Sequence, residues 1–128
     1  MRKVIATGLP EGSAPVEWAT VSNGTLYTAS IPIRADGSRE DGDIAAQTTL
    51  TLANLKQIVE AAGATMDDVT QVQVFLTDKA CFAGMNEVYR TFFTKPYPNR
   101  ATIIADLMVP GAKIEIVAHA DVSRVNKD

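Results

Sequence analysis

Two residues near the C-terminus have the type and setting to act on a small acid. Arg100 lies in Pro98-Asn99-Arg100-Ala101-Thr102, and Glu115 lies in Lys113-Ile114-Glu115-Ile116. A guanidinium is a planar fork whose paired donors match a carboxylate. A glutamate held beside a bound molecule can accept a proton or polarise a water. Each also has an ordinary alternative: a surface salt bridge for Arg100, a solvated strand position for Glu115. The alternation around Glu115 adds information. Ile114, Ile116, Ala118, Ala120 and Val122 share one face, while Lys113, Glu115, Val117, His119 and Asp121 share the other. Glu115 thus keeps company with Val117 and His119, which implies partial enclosure.

The elements that must position these residues follow from periodicity. Thr102-Ile103-Ile104-Ala105 is β-rich and Val109-Pro110-Gly111-Ala112 is turn chemistry, so Arg100 and Glu115 are expected on the two strands of one hairpin. In that register Arg100 lies opposite the region of Ala120 and Glu115 opposite Ala105. Their backbones are then on the order of 15 Å apart at ~3.3 Å per residue. A small substrate touching both would need Arg100 of one subunit and Glu115 of its neighbour.

Upstream, Lys3 to Thr7 reads as a strand, and Glu17 to Val21 and Leu26 to Ile31 as a hairpin turning on Ser22-Asn23-Gly24. Asp43 is placed to cap a helix whose apolar stripe is Ile44, Thr48, Leu52, Leu55, Val59 and Ala62, ending at Gly63. Val69 to Leu76 is a strand. Asp78 can cap a second helix with the stripe Phe82, Met85, Tyr89 and Phe92, stopped by Lys95-Pro96. Ser123 to Asp128 reads as a loose tail. The fold class is α+β: a single mixed β-sheet with two helices on one face, in one domain spanning residues 1–128. Two helices cover one sheet face. The other, carrying Gln71, Gln73, Phe75, Glu115, Val117 and His119, is too apolar for open water and too polar for a dry core. It predicts a symmetric oligomer.

Composition narrows the function. Of the 128 residues 46% are hydrophobic, enough for a core, and 21% are charged. The net charge of −3 and the lack of a Lys/Arg cluster argue against nucleic acid as the partner. The one cysteine, Cys81, excludes an internal disulfide and suits a reducing, cytoplasmic compartment. No apolar run is long enough to span a membrane. His119 is the only histidine, and without further ligands at metal-binding spacing no metal site is expected. No phosphate-loop or dinucleotide motif occurs.

The Asn-Arg-Ala-Thr segment at 99–102, the Val-Pro-Gly-Ala turn at 109–112 and the Lys-Ile-Glu-Ile strand at 113–116 resemble the C-terminal signature of the RidA/YjgF family. The resemblance covers nearly the whole chain. It implies a homotrimer with sheets packed inward and active sites at subunit interfaces, and hydrolytic deamination of reactive enamines and imines, such as 2-aminoacrylate and 2-imino acids, to 2-keto acids and ammonia, with no cofactor. By the same resemblance Arg100 grips the substrate carboxylate and Glu115 holds the attacking water. Asn86 lines the site from a neighbouring chain.

Four departures from the family pattern bear on the site. Thr102 stands where many members carry a cysteine. Thr28-Ala29-Ser30 replaces the family's Ser-Gly-Gln, so a hydroxyl of Thr28 or Ser30 is expected in place of the family serine. Trp18 is expected near the position of a site tyrosine, with core packing as its alternative. Val117 replaces a second acidic residue, which bears on substrate range. Two other functions remain open. A non-catalytic sensor of small keto acids would keep Arg100 without needing Glu115. RNA cleavage, sometimes attributed to the family, sits poorly with the acidic charge.

Overall fold

A computed structural model describes residues 1–126. Its strands are β1 (Lys3–Val4), β2 (Ala19–Ser22), β3 (Thr25–Ser30), β4 (Val69–Leu76), β5 (Asn99–Ile104) and β6 (Ile114–Asp121), with helices α1 (Ile44–Ala61) and α2 (Phe82–Phe92). The strands form one six-stranded sheet in the order β1-β2-β3-β6-β4-β5. All pairings are antiparallel except β4 with β5, which is parallel.

The local signals in the sequence produce the local structure. Asn23 and Gly24 both take positive φ (51° and 76°), which gives the β2–β3 turn the twist a two-residue hairpin requires. Asp43 accepts a hydrogen bond from the Ala46 N–H at 2.9 Å and opens α1. Gly63 ends it at φ +86°, where a Cβ would also press to 3.0 Å from Val125. Asp78 caps a short 3₁₀ turn, Lys79–Cys81, which runs into α2.

The expected β5–β6 hairpin does not form. β5 is an edge strand paired only with β4, and β6 inserts between β3 and β4. The reason is the order strand–helix–strand. β4, α2 and β5 make a crossover unit, and a helix of this length returns the chain parallel to the strand it left. The Val109–Ala112 turn exists, with the Ala112 N–H donating to Val109 at 3.1 Å, but it lies in the connection that carries the chain across β4. The first strand is also shorter than expected, pairing only at Lys3 and Val4. Of the expected tail, Ser123 to Asn126 is a tied-down turn: Arg124 reaches Asp68 at 2.7 Å and Lys3 donates to Asn126 at 3.3 Å. Lys127 and Asp128 lie outside the described residues.

The core lies between the sheet and the helices. Leu52, Leu55 and Ile58 of α1 meet Leu26, Val72, Val74, Ile114 and Ile116, all fully buried. Polar side chains enter this layer too, Ser30, Thr48 and Thr51 among them, and the largest is Gln47. Gln47 of α1 is fully buried; its amide donates to the carbonyls of Gly42 (3.1 Å) and Gly111 (3.0 Å) and its oxygen accepts from the Lys113 N–H at 2.7 Å. Such a group is tolerated because its polar atoms are partnered.

Candidate active site

Arg100 pairs with Val72, which faces the helices, so its side chain leaves the sheet on the helix side. There α2 presents its stripe. The guanidinium carbon lies 4.6 Å from the centroid of the Tyr89 ring and 5.9 Å from that of Phe82, and one terminal nitrogen is 4.0 Å from the Met85 sulfur. Stacking of this kind is worth about 0.5–2 kcal/mol. It holds the guanidinium without neutralising it: among the described residues no carboxylate pairs with Arg100. Burial pushes the Tyr89 hydroxyl above its usual pKa, with the positive charge of Arg100 pulling the other way. That hydroxyl is buried and has no hydrogen-bond partner among the described residues.

Arg100, Asn86, Tyr89, Arg90, Tyr97 and Pro98 line a cavity of about 310 Å³, within the range of small-molecule sites. Asn86, Tyr89 and Arg90 come together because positions i, i+3 and i+4 share one helix surface. The same spacing in the sequence was the signal for Arg90, which motif reading passes over. Tyr97 arrives through the segment entering β5, and nothing local in the sequence marks it.

Glu115 occupies the opposite face. It pairs with Phe75 between the buried Ile114 and Ile116, so it projects away from the helices. It is half-buried, and desolvation raises its pKa above the ordinary carboxylate value of 4.5. Its face continues through Gln73, Val117, Gln71 and His119. The Gln71 amide donates to Asn99 at 3.1 Å, and the His119 ring meets Tyr27 edge-on, centroids 5.0 Å apart. Arg100 and Glu115 are separated by three residues along β4 and two strand spacings across it, on the order of 14 Å between backbones. Their side chains then diverge to opposite sides of the sheet. The separation expected from the hairpin therefore persists, although the hairpin itself does not exist.

The other expected site residues are dispersed. Thr102 shares the Arg100 face two residues along β5, half-buried beside Val74, outside the cavity lining. Thr28 and Ser30 point into the core from β3. The Thr28 hydroxyl donates to the Trp18 carbonyl and the Ser30 hydroxyl to the Thr51 carbonyl, both at 2.7 Å. Trp18 packs against the core and donates its ring N–H to Pro10 at 2.9 Å. None of these three is brought to the Arg100 cavity; their polar side-chain groups are engaged by backbone carbonyls instead. Among the described residues no group of three or more His, Cys, Asp or Glu could hold a metal, and no helix is long and apolar enough to cross a membrane.

The family profile described as Endoribonuclease L-PSP matches residues 10–122. "Protein mmf2, mitochondrial" of Schizosaccharomyces pombe is 37% identical over 105 residues, covering 80% of this chain and 83% of that protein. Its name assigns it to mitochondria, so the cytoplasmic expectation finds no support there. Among solved structures, E. coli TdcF with bound serine is 32% identical with a TM-score of 0.84, over 93% of this chain and 98% of that one. RidA from the Antarctic bacterium Psychrobacter is 28% identical with a TM-score of 0.87, over 94% of this chain and 99% of that one. A Rid-family protein of Yersinia pestis is 30% identical with a TM-score of 0.89, over 95% and 100%. The sheet order, the helix pair and the sequence match converge: this chain belongs to the Endoribonuclease L-PSP family, the YjgF/RidA group.

Proposed function

We propose that this protein hydrolyses 2-imino acids, and the enamines that tautomerise to them, to 2-keto acids and ammonia. The observation that carries the reading is Arg100. An arginine stacked on two aromatic rings, unpaired among the described residues and lining a small cavity, is a prepared carboxylate anchor. The serine bound to the related TdcF is a ligand with such a carboxylate.

The chemistry asks little more of the protein. With the carboxylate held by Arg100, the imine carbon is presented to a water. Glu115, whose raised pKa makes it a better proton acceptor than an exposed carboxylate, takes a proton as the C–O bond forms. The nitrogen takes that proton from Glu115 to give a carbinolamine, which then expels ammonia: the hydroxyl proton passes to the nitrogen, the C–N bond breaks and the ketone C=O forms. An enamine first gains a proton at its terminal carbon. The balance is imine plus water to ketone plus ammonia.

Arg100 and Glu115 leave opposite faces of one sheet, so the same small molecule meets both only if Glu115 comes from a second copy. We infer a homotrimer with sheets packed inward and one site per interface; the half-polar face carrying Glu115 is the surface such packing would enclose.

The decisive experiment is complementation. Arg100→Ala and Glu115→Ala proteins are each expected to be inactive on imines generated in place by an amino-acid oxidase. Mixed under conditions that exchange subunits, they should regain activity, because some interfaces pair an intact Arg100 with an intact Glu115. Absence of recovery in verified hybrids would assign both residues to one chain and overturn the interface. A wild-type protein that binds keto acids yet hydrolyses no imine would leave the sensor function in its place.

A further inference from the structure

The cavity holding Arg100 contains a second guanidinium that the reaction above does not use. Arg90 stands one residue after Tyr89 and one helical turn after Asn86, and lines the same space. No carboxylate among the described residues pairs with it, and no Asp or Glu lines the cavity. In a chain of net charge −3, two unneutralised arginines therefore face one small volume. Like charges sharing a partly enclosed site repel, and an anion between them removes the repulsion. The helix C-terminus favours a cation at Arg90, which accounts for an arginine there but not for its sharing a cavity with Arg100.

Size points the same way. A cavity of about 310 Å³ has room for roughly ten waters at ~30 Å³ each, more than a three-carbon acid occupies. Arg90 and Tyr97 line that volume together with Arg100. We propose that this site prefers substrates with a second carboxylate: the 2-imino acids formed from acidic amino acids, with the α-carboxylate on Arg100 and the distal one on Arg90. This rests on Arg100 being the carboxylate anchor and adds the class of side chain the site selects. A planar carboxylate suits a guanidinium fork, and Arg90, exposed on the cavity rim, can swing to meet chains of four or five carbons.

The test uses two stable keto acids of equal length, 2-oxoglutarate and 2-oxopentanoate, which differ in the charge at the far end. Binding of each is measured by calorimetry to the wild-type protein, Arg90→Gln and Arg100→Gln. Wild type should bind 2-oxoglutarate about ten-fold more tightly, the scale of one charge-assisted contact. Arg90→Gln should erase most of that preference by weakening 2-oxoglutarate far more than 2-oxopentanoate. Arg100→Gln should weaken both. Equal affinities in wild type, or a preference that survives Arg90→Gln, overturn the proposal while leaving the Arg100 anchor intact. If Arg100→Gln alters neither ligand, the anchor falls and this proposal with it. Raising the salt concentration should shrink the wild-type preference, because Arg90 is exposed and its charge is screened.

Discussion

The two faces of the sheet obey opposite rules. On the helix face Leu26, Val72, Val74, Ile114 and Ile116 are sealed under Leu52, Leu55 and Ile58, and the buried Gln47 and Ser30 have partners. On the other face Glu115, Gln73, Val117 and His119 alternate with those core residues yet stay half-buried. Stability is concentrated on one side of each strand and reactive groups on the other. A period of two residues is sufficient to keep them apart. Arg100 stands where the rule lapses, on the helix side of an edge strand, at the margin where α2 covers the sheet with aromatic rings rather than aliphatic ones.

Substitutions on the two faces should fail in different ways. Glu115→Gln keeps the shape and removes the proton acceptor, so imine hydrolysis should fall by about 10²–10⁴-fold while the unfolding midpoint and keto-acid binding hold. A large loss of stability in this variant would break the comparison. Leu52→Ala should do the reverse. Leu52 is fully buried, and its truncation should cost about 2–5 kcal/mol in denaturant unfolding, whereas Gln73→Ala on the other face should stay within about 0.5 kcal/mol in the isolated chain. Arg100→Lys comes next. The charge is kept but the planar fork is lost, so affinity for a small keto acid should drop by about 1.5–3 kcal/mol; unchanged binding would remove Arg100 as the anchor.

The smallest effect is on pH dependence. Desolvation raises the Glu115 pKa, so the folded protein holds this proton more tightly than the unfolded chain does. Stability should therefore fall slightly as pH rises from the ordinary carboxylate range through the raised value. Hydrolysis should rise over the same interval, as the carboxylate ionises. Comparing the two profiles in wild type and Glu115→Gln checks both signs; a stability profile unchanged by the substitution would show that burial of Glu115 has no consequence for folding.

What the sequence discloses and what it hides divide along the range of the interactions. Asp43, Asn23-Gly24, Gly63 and the alternation from Ile114 to Val122 act through neighbours a few residues away, and each reads correctly. Strand partnership is long-range. Ile104 and Ile114 are close in sequence with a Pro-Gly turn between them, yet an α2 between β4 and β5 was the stronger signal, because a crossover helix makes its flanking strands parallel. The site divides similarly. Motif resemblance marks Arg100, Asn86 and Glu115, but Asn86 lines the cavity of the chain that carries Arg100, where the resemblance implies a neighbouring chain. Thr28 and Ser30 carry suitable hydroxyls, but strand parity turns them inward, and the parity of β3 can be read only once its buried face is known.

Parity gives Gln47 a larger part than its three hydrogen bonds suggest. By accepting from the Lys113 N–H and donating to Gly111, it fixes where the chain enters β6, two residues ahead of Glu115. A strand that entered one residue early or late would still find hydrogen-bonding neighbours in β3 and β4. It would, however, bury Glu115 and turn Ile114 and Ile116 outward. Gln47 thus works as a frame marker: a helix residue, outside the cavity lining, that decides which of two interleaved sets of side chains the protein presents to the outside.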